Sequence, residues 1–129
     1  MRIVVLSKIL PVMSISLMLL AGITAEAACE RKQLKKTAEM YLSALEARTP
    51  EKLPLSEKAR FSENGRMLKV GEGLWLTAGK VRLRRSVMDA AMCGVHTQAV
   101  IEESGRPIIF GVRLKVEESR QCDVLLNLT

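Results

Sequence analysis

The stretch GVHTQAVIEESGRPIIFGVRLKV, residues 94–116, decides how this chain folds. Two runs of apolar residues alternating with polar ones flank Ser104-Gly105, a pair suited to a two-residue hairpin turn. That loop predicts Ile101 opposite Ile108, Ala99 opposite Phe110, Thr97 opposite Val112 and Val95 opposite Leu114. The eight share one face, nearly all apolar, because side chains alternate along a strand. The other face puts His96 opposite Arg113, with Gln98 and Gly111 in the next row, so a polar, convex surface is expected there.

Working toward the C-terminus, QCDVLLNLT (residues 121–129) reads as the last strand. A three-residue loop, Glu118-Ser119-Arg120, sets Val116 opposite Cys122, Leu114 opposite Val124 and Val112 opposite Leu126. A two-residue loop would set Leu114 against Asp123 and spoil the apolar face. On the outer face the same register predicts Arg113 facing Leu125 and Lys115 facing Asp123. Working toward the N-terminus, VRLRRSV (81–87) is a further strand. In RFSENGRMLKV (60–70), Asn64-Gly65 is a strong hairpin signal, because both turn positions need positive φ. It pairs Phe61 with Leu68 and Ala59 with Val70. Gly71 and Gly73 bracket a turn into GLWLTAG, a short helix carrying Trp75. Gly71-Glu72-Gly73 lacks the third glycine and the preceding long strand of a dinucleotide loop, so it reads as a backbone turn and no cofactor is expected.

Between Glu30 and Arg48, Leu34, Ala38, Tyr41, Leu42 and Leu45 fall on one face of a helix. Lys35 and Glu39 lie four apart on the other side, and Thr49-Pro50 ends the helix. The apolar face of the sheet needs this helix as its cover. The expected class is α+β, a curved antiparallel sheet wrapped on a long N-terminal helix to form a cone.

The first residues stand apart. Arg2 and Lys8 precede the apolar run ILPVMSISLMLLAGI, and Ala25-Glu26-Ala27 follows with small residues at the two positions a signal peptidase reads. Residues 1–27 are expected to be a signal peptide cut before Ala28, leaving residues 28–129 as a single domain in the periplasm or outside the cell. The run is short of the roughly 20 apolar residues a span needs, so no stable membrane anchor is expected after cleavage. The whole chain carries a net charge of +6, and removing Arg2, Lys8 and Glu26 leaves +5. Arg82, Arg84 and Arg85 cluster, but the other charges are scattered. With one Trp, one Tyr and two Phe, the chain lacks the stacking aromatics of a nucleic-acid groove, so no nucleic-acid partner is expected. Three cysteines with no CxxC spacing and a single His make no metal site.

YLSALEARTPEKLPLSEKARFSENGRMLKVGEGLWLTAGK, with Glu102-Glu103, Gly105, Pro107 and Arg113-Leu114-Lys115-Val116 later on, resembles a family of small exported proteins of unassigned function. The resemblance covers nearly all of the mature chain. It implies a nuclear-transport-factor-2-like (SnoaL-like, cystatin-like) α+β cone, and it supplies no catalytic residues. That family continues past the last strand and carries a second acid two residues after the position of Asp123. Here Leu125 stands at that place, and the sequence stops at Thr129.

Two functions follow as expectations. One is an exported binding or structural domain without catalysis. The other is a SnoaL-like isomerase, dehydratase or hydrolase acting on a small apolar molecule in the cone pocket. A pocket would be rimmed by Tyr41, Met67, Trp75, Met88 and Met92, although apolar residues at such spacing are more often plain core. Asp89 and His96 are the candidate acid–base groups. Asp89 also suits a turn after Arg85-Ser86-Val87, and His96 falls on the outward register. A small apolar ligand and a homodimer through the sheet face are the partners this architecture leaves open.

Geometry narrows the disulfide. Cys93 and Cys122 lie on strands two apart, about 9.5 Å at the usual spacing, whereas bonded cysteines need Cα atoms within about 7 Å. Cys29 opens the helix above this face and reaches either one. The Cys29–Cys93 pairing is preferred because Cys93 precedes its strand, where the backbone can adjust, while Cys122 suits a small buried thiol.

Overall fold

The computed structural model describes residues 29–118 and 122–127. The expected signal peptide and its cleavage site lie outside them. Helix α1 spans Arg31–Ala47, and Leu34, Ala38, Tyr41, Leu42 and Leu45 are all buried on it, as the spacing predicts. It ends at Arg48 in the left-handed region (φ 55°), whose N–H reaches back to the carbonyls of Ala44 and Leu45. Strands β1 (Phe61–Glu63) and β2 (Arg66–Leu68) form a small hairpin. A 3-10 turn at Gly73–Leu76 follows. Then come β3 (Ala78–Asp89), β4 (Gly94–Glu103), β5 (Arg106–Glu118) and β6 (Cys122–Asn127), in one antiparallel sheet of order β3-β4-β5-β6. The molecule is an α+β fold.

The β4–β5 register follows the sequence pair by pair: Ile101 with Ile108, Ala99 with Phe110, Thr97 with Val112, Val95 with Leu114. Ser104 and Gly105 take positive φ of 48° and 79°, as do Asn64 and Gly65 at 49° and 76°. Positive φ at both positions is what a hairpin turn matching the strand twist demands. Phe61 pairs with Leu68, but that ladder stops there and Ala59 does not pair with Val70.

One register departs from expectation. Val116 faces Val124 and Leu114 faces Leu126, so Cys122 lies opposite Glu118 and not Val116. The paired ends are Glu118 and Cys122, one position later on each strand than the expected 117 and 121. Because the slip is by two residues, the faces keep their parity. Their rows change, however: Arg113 meets Asn127, and Lys115 meets Leu125 in place of Asp123.

Helix α1 lies along β3 and is fastened at three levels. Near its start the Arg31 guanidinium donates to the Met88 carbonyl at 3.0 Å. Midway, Arg84 pairs with Glu39 at 2.9 Å, so Glu39 serves the sheet. Beyond its end, Arg48 Nε donates to the Ala78 carbonyl at 2.8 Å. The helix therefore runs opposite to β3. Between them lies the core, in which Leu34, Leu45, Ile101, Val112 and Leu114 are fully buried. Buried Thr97 satisfies its hydroxyl on Ser86, Oγ to Oγ1 at 2.7 Å.

Ahead of α1, Cys29 is bonded to Cys93, with Cα atoms 5.2 Å apart. Cys93 sits in the left-handed region at φ 49° in the turn between β3 and β4. The Cys29 N–H also donates to the Ala90 carbonyl at 3.2 Å. The expected pairing is the one observed.

Candidate functional site

Two hairpin turns of this chain have the same make-up: Glu63-Asn64-Gly65-Arg66 and Glu103-Ser104-Gly105-Arg106. Each glutamate is the last residue of its strand, and both reach toward the segment that holds the 3-10 turn. Glu63 Oε2 accepts the Leu74 N–H at 2.9 Å. Glu103 Oε1 accepts the Thr77 hydroxyl at 3.2 Å, while the Ser104 N–H donates to the Thr77 carbonyl. Gly73 takes φ 63°, and a Cβ there would collide with the Glu63 carboxylate. That close approach is why the turn starts on glycine.

Between these braces lies a cleft of about 200 Å³, lined by Glu63, Asn64, Leu74, Glu103 and Ile108–Gly111 of β5. β6 pairs only with Arg113 and residues beyond it, so this half of β5 has no described strand on its outer edge. Leu74 and Phe110 are almost wholly buried and supply apolar wall. Among the described residues, neither Glu63 nor Glu103 has a Lys or Arg at ion-pair distance. A cleft that sets apolar side chains beside two carboxylates suits a small molecule with an apolar body and a hydrogen-bonding or cationic end.

Tyr41 and Trp75 adjoin this region from the core side. Their rings meet edge to face, with centroids 5.5 Å apart. Burial holds the Tyr41 phenol well above its ordinary pKa, and the nearby negative charge of Glu63 pushes it the same way; the Trp75 N–H offsets a little of this. The indole N–H approaches the hydroxyl without completing a hydrogen bond of good geometry, so both polar atoms stay buried without a full partner.

The five residues expected to rim a pocket lie in different settings. Tyr41 and Trp75 are core. Met88 is half-buried against the core. Met67 and Met92 stand on the surface, 64% and 62% exposed, because one lies on the outer side of the small hairpin and the other in the β3–β4 turn. Asp89 is exposed, and its Oδ1 accepts the Met92 N–H at 3.1 Å, so it organises that turn. His96 is exposed between Val87 and Arg113. Among the described residues, no three His, Cys, Asp or Glu side chains gather where they could hold a metal ion. Glu63 and Glu103 are not among the acid–base candidates that the sequence points to. The available signal was the repeated Glu-x-Gly-Arg turn, two carboxylates placed alike at two hairpin ends.

The fold and cleft define a disulfide-bonded α+β domain. No family model matches the chain, and no curated protein matches it. Among the described residues no helix is long and apolar enough to cross a membrane.

Proposed function

We propose that this chain is an exported, disulfide-stapled binding domain of the nuclear-transport-factor-2-like cone type, which takes a small, largely apolar ligand in the Glu63–Glu103 cleft and performs no reaction on it. The observation that carries this reading is the cleft itself: Leu74, Ile108 and Phe110 beside two carboxylates braced against one turn, with no Lys or Arg at ion-pair distance among the described residues. Such a rim favours a ligand whose polar end is an amine. Export is supported by the leader-like start and by a disulfide, a bond that persists in oxidising compartments.

Titration with hexylamine, hexanol and hexanoate tests the reading. Hexylamine is expected to bind most tightly, and the Glu63→Gln/Glu103→Gln double variant to bind hexylamine and hexanol alike. Gln keeps an acceptor for the Leu74 N–H and the Thr77 hydroxyl, so the turn survives. Failure of all three probes, together with no bound mass on protein taken from its own compartment, would overturn the reading.

A second reading, a SnoaL-like isomerase or dehydratase, has one observation in its favour. Glu63 is an acid held on the turn that carries Trp75, near enough to Tyr41 for its charge to act on the phenol, a position from which a carboxylate can take a substrate proton. It requires turnover of a ligand found on the native protein, lost in Glu63→Gln while binding persists.

A further inference from the structure

The sheet face turned away from α1 is not the polar surface its sequence suggests. Bulges in β3 near Val81 break its alternation. Val81 packs toward the core opposite Ile101, yet Leu83, two residues on, pairs with outward-facing Val100. Val100 pairs in turn with Ile109. An apolar row, Leu83–Val100–Ile109, thus crosses three strands, with Ile109 87% and Leu83 67% exposed. The next row is Arg85–Gln98–Gly111. A recess of about 240 Å³ lies over these two rows with Arg85 and Gln98 in its wall.

The rows beside the recess carry cations: Arg85 lies in the second row and Arg113 in the third. Arg85, Arg113 and Lys115 are exposed, and none has a carboxylate at ion-pair distance among the described residues. The acids of this face lie toward its ends: Glu102 pairs with Arg82 at 2.6 Å, Asp89 holds the β3–β4 turn, and Glu117 and Asp123 form the row beyond Lys115.

We propose that this face docks an acidic segment of another protein, one that lays an apolar side chain across Leu83, Val100 and Ile109 and sets carboxylates on Arg85 and Arg113. Charge complementarity selects this occupant. A second copy that brought recess onto recess through a two-fold axis would set Arg85 and Arg113 against the same cations. A bilayer would satisfy apolar row and cations alike, but the recess and the Gln98 amide in its wall match a side chain and a peptide group better than a smooth headgroup layer.

The test uses the full mature protein and a labelled short peptide of alternating Asp and Leu. Its Lys/Leu and Asp/Ser counterparts and phosphatidylglycerol vesicles are the comparisons. The Asp/Leu peptide is expected to bind, more weakly as salt rises. Both Ile109→Ser and the Arg85→Glu/Arg113→Glu double variant should weaken it by about tenfold or more. All these side chains are exposed, so the variants should keep the wild-type melting temperature, and Ile109→Ser alone decides the apolar part if the charge variant does not fold. The proposal is overturned if the Asp/Leu peptide does not bind, if the Lys/Leu or Asp/Ser peptide binds equally well, if vesicles bind in preference, or if sedimentation shows a dimer that Ile109→Ser disperses.

Discussion

Tyr41 is the chain's single tyrosine, so its ionisation can be followed without interference from another phenol. Its native pKa lies above that of the unfolded chain, because burial and the Glu63 charge both disfavour the phenolate. Below about pH 10 the phenol is protonated in both states. As pH rises past that value, the unfolded state gives up the proton while the native state keeps it, and stability falls. Chemical denaturation across the alkaline range should show a steeper loss in the wild type than in Tyr41→Phe. At neutral pH the same substitution should change stability by no more than about 1 kcal/mol, since the hydroxyl lacks a complete hydrogen bond. At the other extreme is His96, which is exposed and remote from the cleft. His96→Ala should leave stability within about 0.5 kcal/mol by urea denaturation. A larger loss would place the imidazole in a contact the fold does not show.

At the scale of elements, the Cys29–Cys93 bond fastens the start of α1 to the β3–β4 turn. The cysteines are 64 residues apart, and the chain-entropy estimate for closing such a loop is on the order of 4 kcal/mol. Replacing both by Ser should cost roughly 2–4 kcal/mol in denaturant midpoint experiments. Peptide mapping without reduction should recover this pair; a Cys29–Cys122 peptide would contradict it. Much of this level was legible beforehand. The helix face, both two-residue turns and the β4–β5 register follow from residue spacing, since local alternation and turn chemistry fix them. What spacing could not supply was the bulged stretch of β3. Val81, Leu83 and Val87 keep an ordinary period of two in the sequence, and nothing there marks the extra residue that turns Leu83 outward. The β5–β6 loop escaped for a related reason. Loops starting at residue 118 or at residue 119 keep the same apolar face, so the pattern cannot choose between them. The cleft was missed because its glutamates come from turns 40 positions apart in the sequence, and only the packed turn between them brings them together.

For the molecule as a whole, the proposal of export has a direct readout. N-terminal sequencing of protein recovered from the periplasm or medium should begin at Ala28; a chain retained in the membrane and starting at Met1 would defeat it. The position of the bonded pair also has a kinetic consequence for a chain that crosses a membrane N-terminus first. Cys29 emerges early and waits, Cys93 follows, and Cys122 arrives after the correct partner is already within reach. Vectorial emergence thus gives the native bond a head start that full-length chains in a test tube do not have. When reduced, denatured protein is oxidised in solution, all three thiols compete from the first moment. The fraction reaching the native bond should then be lower than in exported material, and Cys122→Ser should restore it. If the yield of native disulfide is the same with and without Cys122, the third thiol is no competitor, and the order in which the cysteines appear carries no advantage.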